Sequence, residues 1–238
     1  MPKSTLKSGK PTPRSAAADS RKATSYHHGD LPNALIAEGR QLLEDIGLGE
    51  FSLREVARRV GVSEAAPGRH FDGKTGLLAA IAASGFRELA GLRRAIAAKK
   101  SSEMQKAYDM LAIYVEFAQT HKGLFYLMVG PRVLEKNAFP EIGIAQKEAF
   151  NLFADAVSAL AASNGWPEGA RNYVTHAAWS VEHGLANLIL ASRVPLVDRP
   201  IDIPSMVKFS LALLLGAVAV GPEVLPLKFR KEIGESLQ

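Results

Sequence analysis

The stretch "FSLREVARRVGVS" (residues 51–63) constrains this chain more than any other. Ser52 with Glu55 three residues later has the spacing of a capping box, which satisfies N–H groups that a helix start leaves unpaired. Phe51 before the cap and Val56 after it are placed for a hydrophobic staple. Together they delimit a helix over 53–60, and Gly61 ends it. Ser63 can cap a second helix after only the turn "GVS". Residues 52–71 therefore read helix, turn, helix, at the spacing of a helix-turn-helix.

Such a unit puts the N-terminal half of its second helix into the DNA major groove. That half contains Pro67-Gly68, the pair least suited to a helix interior. Pro67 forfeits a bond to the Ser63 carbonyl and biases Ala66 away from the α region, so the start is expected to be short and 3₁₀-like. The expected contacts are Ser63, Glu64, Ala65, Arg69 and His70. Arginine reads guanine or clamps a phosphate, and alanine or a serine methylene touches a thymine methyl. Gly68 removes a side chain where one would face the groove or a phosphate. Ser52, Arg54 and Lys74, at or near helix starts, are placed for phosphates. Leu53, Val56, Ala57, Val62 and Phe71 are expected to pack inward.

The remainder reads as helix too, with no period-2 alternation, so the fold class is all-α. Asp30 can cap a first helix bearing Leu35, Leu42, Leu43 and Ile46, with Gly47 as its stop. A segment from about Lys74 to Lys100 carries Gly76, Gly85 and Gly91, which means close packing or a built-in bend. Further blocks fall near 103–121, 122–130, 139–164, 168–193 and 203–220, punctuated by prolines. The last two are apolar on more than one face, which makes them the candidate homodimer interface. The most apolar run, 209–221, is shorter than the roughly 20 residues that a bilayer span needs.

Charge is unevenly placed. Residues 1–24 hold six Lys/Arg against Asp19 alone, which accounts for the whole net charge of +5. This Ser-, Pro- and Lys-rich tail is expected to be disordered. It reads either as an arm for a polyanion or as a solubilising extension. Residues 52–74 carry five Lys/Arg against three Asp/Glu. Cysteine is absent, which removes disulfides and thiolate metal sites and fits a cytoplasmic location. The polar N-terminus is not a secretory signal. His27-His28 with Asp30 makes half a metal site by composition, and plain surface is the commoner reading, so no metal and no cofactor is expected.

His176, Trp179 and His183 share one helix face, with Glu182 beside them. They line a ligand pocket or pack a helix interface. The cluster Tyr114, Phe117, Phe125, Tyr126, Met128, Phe150 and Phe153 can wall an apolar cavity, although much of it must be ordinary core. The expected ligand-binding set is Tyr114, Phe117, Tyr126, Met128, Phe150, Trp179 and His183. No Gly-rich phosphate loop, H-E-x-x-H or G-x-S-x-G elbow is present, so an enzyme is not expected.

Residues 26–90, "YHHGDL…FSLREVARRVGVSEAAPGRHFDGKTGLLAAIA", resemble the N-terminal domain of TetR-family transcriptional regulators, with "YHHGDL" similar to one sub-branch. "WSVEHG" (Trp179, His183, Gly184) resembles the Trp…His-Gly signature of a C-terminal domain often paired with it. The resemblance implies a DNA-binding domain at 25–85 and a ligand-binding and dimerisation domain at 86–225, set between the basic tail at 1–24 and a C-terminal tail at 226–238. It further implies a cytoplasmic homodimer that represses from a palindromic double-stranded DNA operator. A small, hydrophobic effector would release it by repositioning the helix after the helix-turn-helix. Relatives usually carry an aromatic, typically tyrosine, that contacts phosphate where this chain has Gly68. The alternative is an adaptor of the same fold with weakened DNA binding.

Deleting residues 1–24 is expected to weaken DNA binding at all sequences and to flatten its salt dependence, measured by fluorescence titration at several salt concentrations. An unchanged salt slope after truncation rejects a DNA-contacting role for the tail.

Overall fold

The computed structural model describes residues 30–130, 139–192 and 201–236. Among them are nine α-helices, two short 3₁₀ turns and no strand. The first helix, α1 (Leu31–Glu50), buries Leu35, Gly39, Leu42 and Leu43 and breaks its path at Gly47, where φ is 73°. In α2 (Leu53–Val60) the Ser52 hydroxyl accepts the Glu55 N–H at 3.2 Å, and Gly61 closes the helix in the left-handed region. Phe51 and Val56 are both buried, as a staple requires. The Glu55 carboxylate is given over to Arg58 and Arg59 rather than to the reciprocal half of a capping box. Those guanidinium groups hold its pKa down at about 2. Arg59 also reaches Asp45 at 2.5 Å and Glu38 at 3.4 Å, which straps α2 to α1.

The second half of the helix-turn-helix corrects the sequence reading. No α-helix starts at Ser63. The segment is turn followed by a 3₁₀ turn at Pro67–Arg69. Ala66 donates to the Ser63 carbonyl at 2.9 Å, occupying the acceptor that Pro67, with no N–H, cannot use. Arg69 donates to Ala66 and His70 to Pro67 in the same i to i+3 pattern. Ala66 itself sits in the α region (φ −62°, ψ −43°), against the expected bias before proline.

From Gly73 a single helix, α3 (Gly73–Ala97), runs unbroken past the expected domain boundary at 85/86. Then come α4 (Glu103–Thr120), α5 (Lys122–Val129), α6 (Pro140–Ser163), α7 (Glu168–Leu190), α8 (Ile203–Val220) and α9 (Leu227–Ser236). The last lies in the segment expected as a C-terminal tail. A shared core of Met110, Leu111, Val115, Phe153, Val157 and Leu211 unites α4, α6 and α8. Trp166 donates its indole N–H to the Val218 carbonyl at 2.8 Å and so fixes the α6–α7 turn to α8. At 18 residues and mean hydropathy 1.9, α8 is longer than the 209–221 run and apolar enough, by length and composition, to cross a membrane. Its Leu211, Leu215 and Val218 are buried in the bundle.

Contact between α1 and α5 is close. The Glu44 carboxylate accepts the N–H groups of Gly123 (2.8 Å) and Leu124 (3.0 Å), capping the start of α5 from another helix. A Cβ on Gly123 would lie 2.4 Å from the Leu43 carbonyl oxygen. Gly85 on α3 makes a similar approach, facing Met128 and Leu124 of α5, which supports the packing reading of that glycine. Gly123→Ala is therefore expected to cost about 2 kcal/mol or more and to lower Tm by roughly 4–8 °C in a scanning calorimeter.

Candidate nucleic-acid interface and ligand cavity

The expected DNA-contact residues Ser63, Glu64, Ala65, Gly68, Arg69 and His70 are all exposed, while Ala66 and Pro67 are buried beneath them. Proline thus anchors the segment inward and leaves its neighbours free to meet a partner. Val56 and Ala57 are buried as expected, and Leu53, Val62 and Phe71 are half-buried. Arg54 pairs with Glu64 across the face at 2.8 Å, with both side chains largely exposed. Ser52 is engaged as a helix cap. Lys74, expected at a phosphate, donates to the Phe51 carbonyl at 2.6 Å and lies 5.7 Å from the Phe51 ring centre. Its ammonium therefore ties the start of α3 to the start of α2 and keeps two further donors. A Cβ on Gly68 would meet nothing within 4 Å, so the place of the family aromatic is open space. His27 and His28 lie outside the described residues.

A cavity of about 670 Å³ opens between α3, the end of α5, α6 and α7. Tyr114, Met128, Phe150, Trp179 and His183 of the expected ligand set line it, together with His176. Phe117 and Tyr126 do not. Phe117 is buried against the His121 ring, 4.8 Å between centres, and Tyr126 points out to solvent. Phe125 and Phe153 are fully buried core. Sequence reasoning missed Phe86, Leu89 and Arg93 of α3 and Lys147 of α6.

The polar groups of the lining are coupled. Tyr114 Oη and His183 Nδ1 are 2.8 Å apart, and the His183 ring stacks on Trp179 with centres 5.4 Å apart. Burial lowers the His183 pKa, favouring the neutral ring. Burial raises the Tyr114 pKa, with the negative charge of Glu182 adding to it. Behind them Arg93 (2% exposed) and Glu182 (0%) form an ion pair at 2.9 Å. Desolvation pushes Glu182 up to about 7 against the opposing pull of Arg93.

Comparison with known proteins bears on the family and the fold. Residues 35–81 match the family described as bacterial regulatory proteins, tetR family, and residues 108–209 match the tetracyclin repressor-like C-terminal domain. No curated protein matches the chain in sequence. Among solved structures, a protein of unknown function from Rhodococcus sp. RHA1 is 27% identical at TM-score 0.67, covering 82% of this chain and 99% of that one. The fatty acid degradation regulator FadR from Bacillus halodurans is 14% identical at TM-score 0.61, covering 77% and 94%. The TetR family transcriptional regulator PfmR from Thermus thermophilus is 15% identical at TM-score 0.58, covering 76% and 97%. The matched families, and the all-helical fold of the described residues, are those of transcriptional regulators. The chain belongs to the TetR family.

Because Glu182 holds a proton more tightly folded than unfolded, its contribution to stability is full below about pH 4.5 and is lost as pH rises through about 7. Tm is expected to fall between pH 5 and 7.5 more steeply in the wild type than in Glu182→Gln, measured by differential scanning fluorimetry. Parallel pH profiles would show that Glu182 does not titrate in this window.

Proposed function

We propose that this regulator is a ligand-released repressor that binds a palindromic operator as a homodimer. The observation that carries the reading is the continuity of α3. The helix that starts beside the DNA-reading turn supplies Phe86, Leu89 and Arg93 to the cavity wall. A ligand that favours another position of those side chains shifts the population of head positions. A second connection runs through α5, whose last residues Met128 and Val129 line the cavity while Glu44 of α1 holds its first turn.

Dimerisation through α7 and α8 accounts for apolar side chains that the single chain leaves in water. Tyr173 and Leu188 on α7 and Phe209, Leu213 and Val220 on α8 are all exposed. In the dimer, the two heads lie about 34–36 Å apart to meet successive major grooves. The effector is a small, largely hydrophobic molecule, in keeping with the aromatic and aliphatic cavity walls and with the name of one structural relative, a fatty acid degradation regulator. Reading chromosomal DNA places the protein in the cytoplasm.

Two observations favour the adaptor alternative, in which DNA binding is weak. Gly68 offers no side chain, and Arg54, Arg58 and Arg59 are all paired with carboxylates. Titration of fluorescent promoter DNA at two salt concentrations separates the readings. A repressor shows a specific, saturable dimer complex, and an adaptor shows only weak binding that salt erases.

For the repressor, Arg69→Ala is expected to weaken binding roughly 10- to 100-fold, the scale of one arginine contact to base or phosphate. Gly68→Tyr is expected to tighten binding with Tm little changed, because a side chain can start there without a clash at Cβ. Phe209→Asp with Leu213→Asp is expected to give a monomer by light scattering that no longer binds DNA cooperatively. A double variant that stays dimeric places the interface elsewhere.

A further inference from the structure

The cavity floor holds an ion pair that its protein partners leave incomplete. Arginine has five N–H donors and a carboxylate about four acceptor sites. Arg93 Nη1 donates to the Ala149 carbonyl at 3.0 Å, and Nη2 points to both Glu182 oxygens at 2.9 and 3.1 Å. A longer approach of 3.4 Å joins Nη2 to the Met110 carbonyl. Arg93 Nε is buried and has no partner. Glu182, with no exposed surface, is thus served by one nitrogen of this arginine where a fork would use two. The Tyr114 and Phe153 rings, 5.4 and 5.0 Å from the guanidinium carbon, shield it from water. A buried donor left unpaired is costly, and a second acceptor arriving from the cavity would relieve that cost. The charged residues of the lining are Arg93, Lys147 and Glu182, an excess of cations.

We infer that the cavity takes an apolar molecule bearing one carboxylate, which replaces Glu182 as the partner of Arg93. The inference rests on the reading of the cavity as the effector site. The two ligand oxygens accept from Nε and Nη2 side by side, the fork that Glu182 does not make. Glu182, fully buried and now facing a second carboxylate, takes one proton from solvent. Burial already holds its pKa at about 7. The groups around it are Arg93 on α3, Tyr114 on α4, Lys147 on α6, and His176 and His183 on α7. The one charge on α8, Lys208, lines a separate cleft. Arg93 belongs to α3 and Glu182 to α7, so the exchange unhooks the head-bearing helix from a helix of the proposed dimer interface.

The test uses the full chain with decanoate, methyl decanoate and decylamine as probes, by calorimetry in two buffers of different ionisation enthalpy. Decanoate is expected to bind at least ~10-fold tighter than the ester or the amine, the scale of a charge-assisted fork to a buried arginine. At pH 8 it is expected to take up close to one proton, with affinity falling about tenfold per pH unit above that. Glu182→Gln is expected to abolish the uptake while retaining decanoate. Should that variant fail to fold, Arg93→Met with Glu182→Leu removes the pair with apolar groups and is expected to bind acid and ester alike. The exchange is overturned by an ester or amine that matches decanoate, by uptake that persists in Glu182→Gln, or by no probe binding. Promoter DNA added to the same samples keeps the two readings apart. Release by the ester sinks the exchange and keeps the effector cavity. Decanoate binding with proton uptake but unchanged DNA affinity keeps the exchange and sinks ligand release.

Discussion

Arg93 is the point at which four helices meet. From α3 it reaches a carbonyl of α4, a carbonyl of α6 and the Glu182 carboxylate of α7, and its guanidinium lies against the rings of Tyr114 and Phe153. Removing such a charge from water costs several kcal/mol, and its partners repay that only if the geometry is good. The pair is consequently a weak source of stability. Its contribution is register: a guanidinium that must satisfy three other helices leaves α3 little freedom to slide or rotate while the pair is intact. The turn proposed to meet DNA inherits that register, because α3 starts directly after it.

The head depends on a second set of polar ties. Arg59 binds α2 to α1, Lys74 binds α3 to the start of α2, and Glu44 binds α1 to α5. Arg40 of α1 also pairs with Glu88 of α3. Exposed ion pairs contribute little to stability individually, and several of these are exposed or half-buried. Their arrangement nevertheless gives the head two routes to the cavity, one along α3 and one through α5. Gly85 lets those two helices approach each other directly.

Much of this was legible in the sequence because it is local. The Ser52 cap, the Gly61 stop and the helical blocks follow from spacing within a few residues, and the resemblance to the TetR family rests on the same stretch. The recognition turn was half legible. Proline's missing N–H announced a 3₁₀ tendency, but Ala66, buried beside Pro67, keeps an α-region backbone that the sequence did not announce. Cavity residues were readable only to within a helix face. Tyr114 and Phe117 are three residues apart on α4, yet one turns to the cavity and the other to His121. Met128 and Tyr126, two residues apart on α5, point to opposite sides as a 100° step dictates. Glu182 was placed beside the pocket face, but its pairing with Arg93 was out of reach, since nothing local links residues 89 positions apart.

Open space at Gly68 has a consequence for how such a regulator changes over generations. Most residues that touch a partner also brace their own fold, so substitutions trade one property against the other. Here the backbone is already held by the buried proline beside it, and a Cβ would meet nothing within 4 Å. On the proposed reading of this turn as the DNA-facing element, grip at this position can change one codon at a time at little cost to folding. On that reading the position is a dial for target occupancy that selection can turn almost in isolation.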